Sequence, residues 1–219
     1  MKDVLPEPVY PAISKHLIER ARKAPDGWEG GSDEEDTLTG DLGAMLRTDW
    51  SPLLRENGAS WHWRVRYKKF RGRGARAFEK ESGADGIFQI EVSRGLEKHF
   101  KVLLFQAKKV GNLDDDLASQ IRRMEHLAEG GSAVVEFGPG TYRAVSGSNY
   151  LKEYSNSREL QAVDFQPLPD FLGDVFIPCI SGLRGMYYDA IRALLILPNG
   201  FAPHISVRHR ISIEAEQAS

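Results

Sequence analysis

The stretch ESGADGIFQIEVSRGLEKHFKVLLFQAKK, residues 81–109, decides how the chain folds. Residues 86–92 (GIFQIEV) read as one strand. Residues 101–109 (KVLLFQAKK) read as another, apolar on both faces until its end, which marks a central strand. Asp85 stands just before the first strand and shares the parity of Ile87, Gln89 and Glu91. Gln106 and Lys108 close the second strand on one parity, so both project from the same face. The pattern is therefore Asp, a hairpin of about twenty residues, then Gln-x-Lys.

Downstream, residues 113–128 (LDDDLASQIRRMEHLA) read as an amphipathic helix, with Leu113, Leu117, Ile121, Met124 and Leu127 on its apolar face. Gly130 and Gly131 end it, and residues 133–137 supply a strand. Upstream, residues 61–70 (WHWRVRYKKF) alternate. Trp61, Trp63, Val65 and Tyr67 share one face; His62, Arg64, Arg66 and Lys68 share the other. The segment RGRGAR at 71–76 is a basic, Gly-rich loop. Before it, a helix capped by Ser32 or Asp33 runs to about Leu46. Leu38, Leu42, Met45 and Leu46 form its apolar stripe. Glu35 lies near the centre of that stripe, Glu34 lies further off, and Asp36 and Asp41 point away. Gly40 and Gly43 are poor helix residues, so a close neighbour is expected there.

A further helix is expected over residues 12–23, broken by Pro25, Gly27, Gly30 and Gly31. The last third holds expected strands at 142–145, 193–197 and 204–214 and a short helix at 150–160. Pro167, Pro169 and Pro178 make the chain between them irregular. The expected organisation is a lead-in over 1–32 and a domain over 33–219. Its core is 33–137, and the strands within 193–214 are an elaboration.

The 219 residues hold 29 Lys+Arg and 31 Asp+Glu, a formal net charge of −2. With 41% apolar and 27% charged residues, a wholly disordered chain is excluded and a real core is affordable. The charge is segregated. Residues 24–46 carry seven acids and no Lys or Arg, whereas residues 61–76 carry seven basic groups and no acid. That reads either as two solvated faces or as a cation-binding cluster beside a phosphate-binding surface. One cysteine, Cys179, excludes an intramolecular disulfide and reads as a buried small hydrophobe. No apolar run is long enough for a spanning helix. Asp3, Glu7, Pro6 and Pro8 interrupt the first residues, so no signal peptide is expected and a reducing cytoplasm is the default.

A carboxylate on one strand, with a ligand and a lysine on its neighbour, holds a divalent cation and a water in one place. Phosphodiester cleavage needs that arrangement. Lysine suits the water-activating role because its pKa falls readily on burial or near a metal. In these residues the chain resembles the PD-(D/E)xK nuclease superfamily, the restriction-endonuclease-like fold. The matching pieces are Glu35 in EEDTLTGDL, Asp85 in ESGADG, Gln106 and Lys108 in QAK, and the following helix with Gln120. The resemblance covers about residues 33–137. It implies an α/β/α sandwich with a central mixed sheet. It also implies Mg²⁺ or Mn²⁺ held by Asp85, Gln106 and Glu35, with Lys108 assisting the attacking water. Two departures stand out: Ala84 replaces the usual proline, and Gln106 replaces the usual acid, bringing an oxygen but no charge. Gln-x-Lys is the variant of Mrr-type restriction endonucleases and related defence nucleases.

The implied function is a metal-dependent DNA endonuclease in bacterial restriction or antiviral defence. The alternative is a catalytically weak or inactive nucleic-acid-binding module on the same fold, and a third reading is a structural or regulatory subunit. Arg64, Arg66 and Lys68, with Arg71, Arg73 and Arg76 in the loop and Gln120 on the helix, are the expected DNA contacts, mostly to backbone. With no sensor segment evident, control by self-assembly or by a partner protein is expected. Each residue also has a structural reading. Asp85 before glycine suits a turn, Lys108 suits a solvated strand end, Glu35 suits a capping box, and Gln120 suits a backbone hydrogen bond. Glu81 and Glu91 are reserve metal ligands or salt-bridge partners. His62, His99, His126, His204 and His209 show no metal spacing.

Overall fold

The apolar run of residues 101–108 is buried without interruption. It belongs to β4 (Glu97–Lys109), which pairs antiparallel with β3 (Gly86–Arg94) and parallel with β5 (Ser132–Gly138). The computed structural model describes residues 1, 4–31, 34–70, 82–112, 115–157, 163–201 and 207–218. Its longer helices are α1 (Val9–Lys23), α2 (Glu35–Leu46), α3 (Asp115–Leu127) and α4 (Gly147–Ser157). The remaining strands are β1 (Leu54–Glu56), β2 (Ala59–Lys69), β6 (Thr141–Ser146), β7 (Gln166–Pro167), β8 (Leu183–Arg184), β9 (Tyr187–Asp189), β10 (Leu194–Ile196) and β11 (His209–Ala218). Among the described residues nine of the eleven strands build one sheet, ordered β1-β2-β11-β3-β4-β5-β6-β7, with β8 beside β4, and β9 and β10 form a second, two-stranded one. The parallel β4–β5 pair needs a crossover, and α3 makes it.

The protein is thus a mixed α/β fold with a central sheet flanked by helices. One face carries Val65, Phe88, Phe105 and Ile213 against Ile13 and Leu17 of α1 and Leu38, Leu42 and Leu46 of α2. The other carries Ile87, Val102, Leu104 and Val134 against Leu117, Ile121 and Met124 of α3 and Tyr150 of α4. Each large apolar side chain buried this way contributes about 1.5–3 kcal/mol. The close neighbour expected at the α2 glycines is Tyr67: a Cβ on Gly43 would lie 2.2 Å from its ring. Among the described residues no helix is long and apolar enough to cross a membrane.

The C-terminal segment departs from expectation. β11 is no elaboration but lies inside the sheet, antiparallel to β2 (Ile213 opposite Val65) and parallel to β3 (Ile213 opposite Ile90). Alternation sorted its side chains onto two faces, but it carries no information about which strands flank it. β10, in contrast, pairs only with β9 in a separate hairpin. That hairpin is tied to the sheet where the buried Tyr188 N–H donates to Gln89 Oε1 at 2.9 Å. Cys179 is half-buried rather than buried. Its Sγ accepts a hydrogen bond from the Met1 amine at 2.8 Å.

Candidate active site

The site forms where β3, β4 and β11 reach the start of α2 and the side of α3. Gly83 brings the chain into it. Its φ of +73° is the left-handed conformation that glycine adopts without strain, and a Cβ there would lie 2.3 Å from the Gln120 carbonyl oxygen of α3. Two residues on, Asp85 is pinned by its backbone, donating to the Phe105 carbonyl at 2.9 Å and accepting from the His209 N–H at 3.2 Å. Its side chain is pinned too. Oδ2 accepts from Gln106 Nε2 at 2.6 Å and from the Ala107 N–H at 2.9 Å. A carboxylate only accepts, so the Gln106 amide is fixed with Nε2 toward Asp85 and Oε1 away from it.

Glu35 does not cap its own helix. Its Oε1 accepts the Lys109 N–H at 2.9 Å, which fastens the first turn of α2 to the end of β4. The Glu35 backbone carbonyl takes the Thr39 hydroxyl. Glu35, Asp85, Gln106, Lys108 and Gln120, singled out from sequence as far apart as positions 35 and 120, therefore line one cleft of about 140 Å³. Asp85, Gln106 and Lys108 are 8%, 4% and 7% exposed, so none of the three is a solvated surface group. Gln106 Oε1 and Gln120 Oε1 are buried and accept no hydrogen bond from the described residues. An unsatisfied buried acceptor costs about 1–3 kcal/mol and calls for an explanation.

Asp36, Arg208 and His209 complete the cleft and were not singled out from sequence. Asp36 was expected to point away from the core. Its carboxylate takes Lys69 Nζ at 2.5 Å and His209 Nε2 at 2.8 Å, with Arg208 Nη1 at 3.6 Å. Burial alone would raise its pKa. The hydrogen bonds and charges of Lys69 and His209 outweigh burial and hold it below the ordinary value. Since Asp36 can only accept, His209 Nε2 carries a proton. Nδ1 then accepts the Tyr67 hydroxyl at 2.9 Å. Burial pushes the 1%-exposed His209 below its ordinary pKa, against the opposing pull of Asp36. Burial, then the charges of Asp36 and Asp41, push Tyr67 up to about 12. The sequence signals for this cluster were the place of Asp36 in the first turn of a helix and that of Arg208 and His209 within the alternating segment 204–214.

The basic strand lies elsewhere. Arg64 donates to Glu214 Oε2 at 2.7 Å through Nε and lies 4.1 Å over the Trp50 ring. Arg66 is 3.6 Å from Glu214 and 60% exposed, and Lys68 sits 4.9 Å over the Phe70 ring. None of the three lines the cleft. Glu91 bonds Lys98 at 2.7 Å, which is its salt-bridge reading. Arg71, Arg73, Arg76 and Glu81 lie outside the described residues.

Three carboxylates, Glu35, Asp36 and Asp85, thus line one small space with Lys108 and with Gln106 and Gln120, whose amide oxygens have no donor among the described residues. Hard divalent cations prefer such oxygens, so Asp85, Glu35 and Gln106 are the residues able to hold one. Among the described residues no group of three or more His, Cys, Asp and Glu is gathered as for a metal, and at this cleft an amide stands where a third acid would. None of the family models, curated proteins or solved structures compared with the chain matches it.

Proposed function

We propose that the chain is a divalent-cation-dependent nuclease on a restriction-endonuclease-like scaffold, hydrolysing phosphodiester bonds of DNA. One observation supports this above the rest: the residues of the Asp, Gln-x-Lys and helical-Glu pattern converge on one cleft. Within it, the buried Gln106 Oε1 has no donor among the described residues. Mg²⁺ or Mn²⁺ there would neutralise charge on the scissile phosphate and acidify a water. Asp85, Glu35 and Gln106 Oε1 would hold it. Lys108 would orient the attacking water and take part in its deprotonation. Arg208, which lines the cleft beside Asp36, would meet a phosphate oxygen. Of the basic strand, Arg66 and Lys68 face outward and would track the DNA backbone, whereas Arg64 is committed to Glu214 and Trp50. A role in restriction or antiviral defence in the cytoplasm, under control of a partner or of self-assembly, rests on the resemblance.

The experiment is incubation of supercoiled plasmid with Mg²⁺ or Mn²⁺, with and without chelator, for the wild type, Asp85→Asn and Lys108→Ala. Nicking by the wild type alone is expected. Equal nicking by either variant would remove the mechanism. One observation favours a second reading, a non-catalytic nucleic-acid-binding module. The Gln106 amide already donates to the Asp85 carboxylate, so part of that carboxylate is satisfied without any cation. Metal-independent, salt-sensitive DNA binding with no cleavage under any cation supports that version.

A further inference from the structure

We propose that cation and substrate enter this cleft as a coupled pair, because Gln106 stands where an acid would supply charge. The inference rests on the nuclease reading of the same site. Gln106 Nε2 lies 2.6 Å from Asp85 Oδ2, with both residues buried. A carboxylate in place of that amide would face Asp85 at the same spacing, and two buried like charges there cannot both persist without a cation between them. The amide removes that conflict. The cleft therefore stands preformed in the absence of metal, closed by its own hydrogen bond.

The same amide lowers the cleft's hold on a free cation. Affinity for a hard divalent ion rises with the charge of its ligands. Asp36 adds little, because Lys69, His209 and Arg208 already surround its carboxylate. Asp85 and Glu35 remain as charged oxygens, and Gln106 Oε1 as a neutral one with no donor among the described residues. A phosphodiester oxygen brings the missing negative charge. Metal then raises substrate affinity by the same factor as substrate raises metal affinity, as linkage requires.

Calorimetric titration of Mn²⁺ tests this, with and without phosphorothioate-linked DNA, single- and double-stranded, using the wild type and Gln106→Glu. For the wild type, Mn²⁺ is expected to bind at least tenfold more tightly with DNA present, and DNA at least tenfold more tightly with Mn²⁺ present. Gln106→Glu is expected to bind Mn²⁺ alone at least tenfold more tightly than the wild type. Its melting temperature should fall below the wild type's in chelator and recover with Mn²⁺. Equal Mn²⁺ affinity of the wild type with and without DNA overturns the coupling while leaving the nuclease reading intact. So does a Gln106→Glu variant that gains no affinity. Absence of Mn²⁺ binding by either protein, with or without DNA, overturns both. If Gln106→Glu does not fold, the two reciprocal wild-type titrations decide the question alone.

Discussion

Two charged regions of this protein look alike in sequence and behave differently in space. On the outer face of β2 the charges answer one another: Arg64 and Arg66 with Glu214, and His62 with Glu216 at 3.6 Å. In the cleft, Asp85 and Lys108 are buried, and two amide oxygens beside them have no donor among the described residues. A region that satisfies itself in water contributes stability and little chemistry. A region that keeps polar atoms dry and without donors leaves a desolvation cost unmet, which is the observation that supports a ligand there. Charge density alone does not separate the two; burial and hydrogen-bond accounting do.

The sharpest way to break this contrast is to compare Lys108→Ala with Arg64→Ala in plasmid nicking. Loss of Lys108 should cost ~10²–10⁴-fold in rate, and loss of Arg64 only a few-fold. Equal losses would erase the distinction. Asp85→Asn is the matching carboxylate variant, because it keeps an acceptor for Gln106 and the Ala107 N–H. Asp85→Ala strips both donors of their partner at about 1–3 kcal/mol each. It should therefore lower the urea midpoint, which Asp85→Asn should not.

Next in size is Gly43→Ala. Its methyl would meet the Tyr67 ring at 2.2 Å, so Tyr67 must shift and loosen its bond to His209. Overpacking of this kind costs about 1–3 kcal/mol, read by urea unfolding. The control Gly95→Ala, on an open turn with φ +58°, carries only backbone strain.

Acid stability separates the regions more finely. His209 and Asp36 both have depressed pKa values in the folded chain. For each, the unfolded state binds the proton more readily. Each contribution is thus full above the unfolded value and is lost as pH falls toward the folded one. Stability should first decline below about 6.5, from His209, and again below about 3.8, from Asp36. His209→Gln should flatten the first decline in pH-dependent urea unfolding. A decline that persists unchanged would assign it to another group. The smallest effect belongs to Arg66→Ala, whose exposed pair is worth less than about 1 kcal/mol. Its readout is the salt dependence of DNA binding, where the log–log slope should shrink by about one.

Much of the cleft was legible because its signals are local. The parity of Asp85 and of Gln106 with Lys108 follows from the two-residue period of a strand. Glu35 faces inward because it shares the stripe of Leu38 and Leu42, three and seven residues on along the helix. Asp36 lies off the apolar stripe, as the wheel has it, but the wheel is silent on the partners it meets there. The helical wheel treats α2 as isolated, but a residue in its first turn also sees what lies beyond the helix end. There β2 and β11 present Lys69 and His209.

By itself, then, the sequence determined the central strands and helices, their buried faces, and the strand or helix positions of Glu35, Asp85, Gln106 and Lys108. Backbone periodicity and local apolar spacing suffice for that. Only the tertiary structure decided that β11 enters between β2 and β3. It also decided that Arg64 is neutralised from that strand by Glu214, and that His209 and Arg208 join the cleft. Those outcomes depend on which open strand edges a distant segment pairs with. That choice is made by the packing of both faces of the sheet at once, and no local pattern in residues 204–214 encodes it.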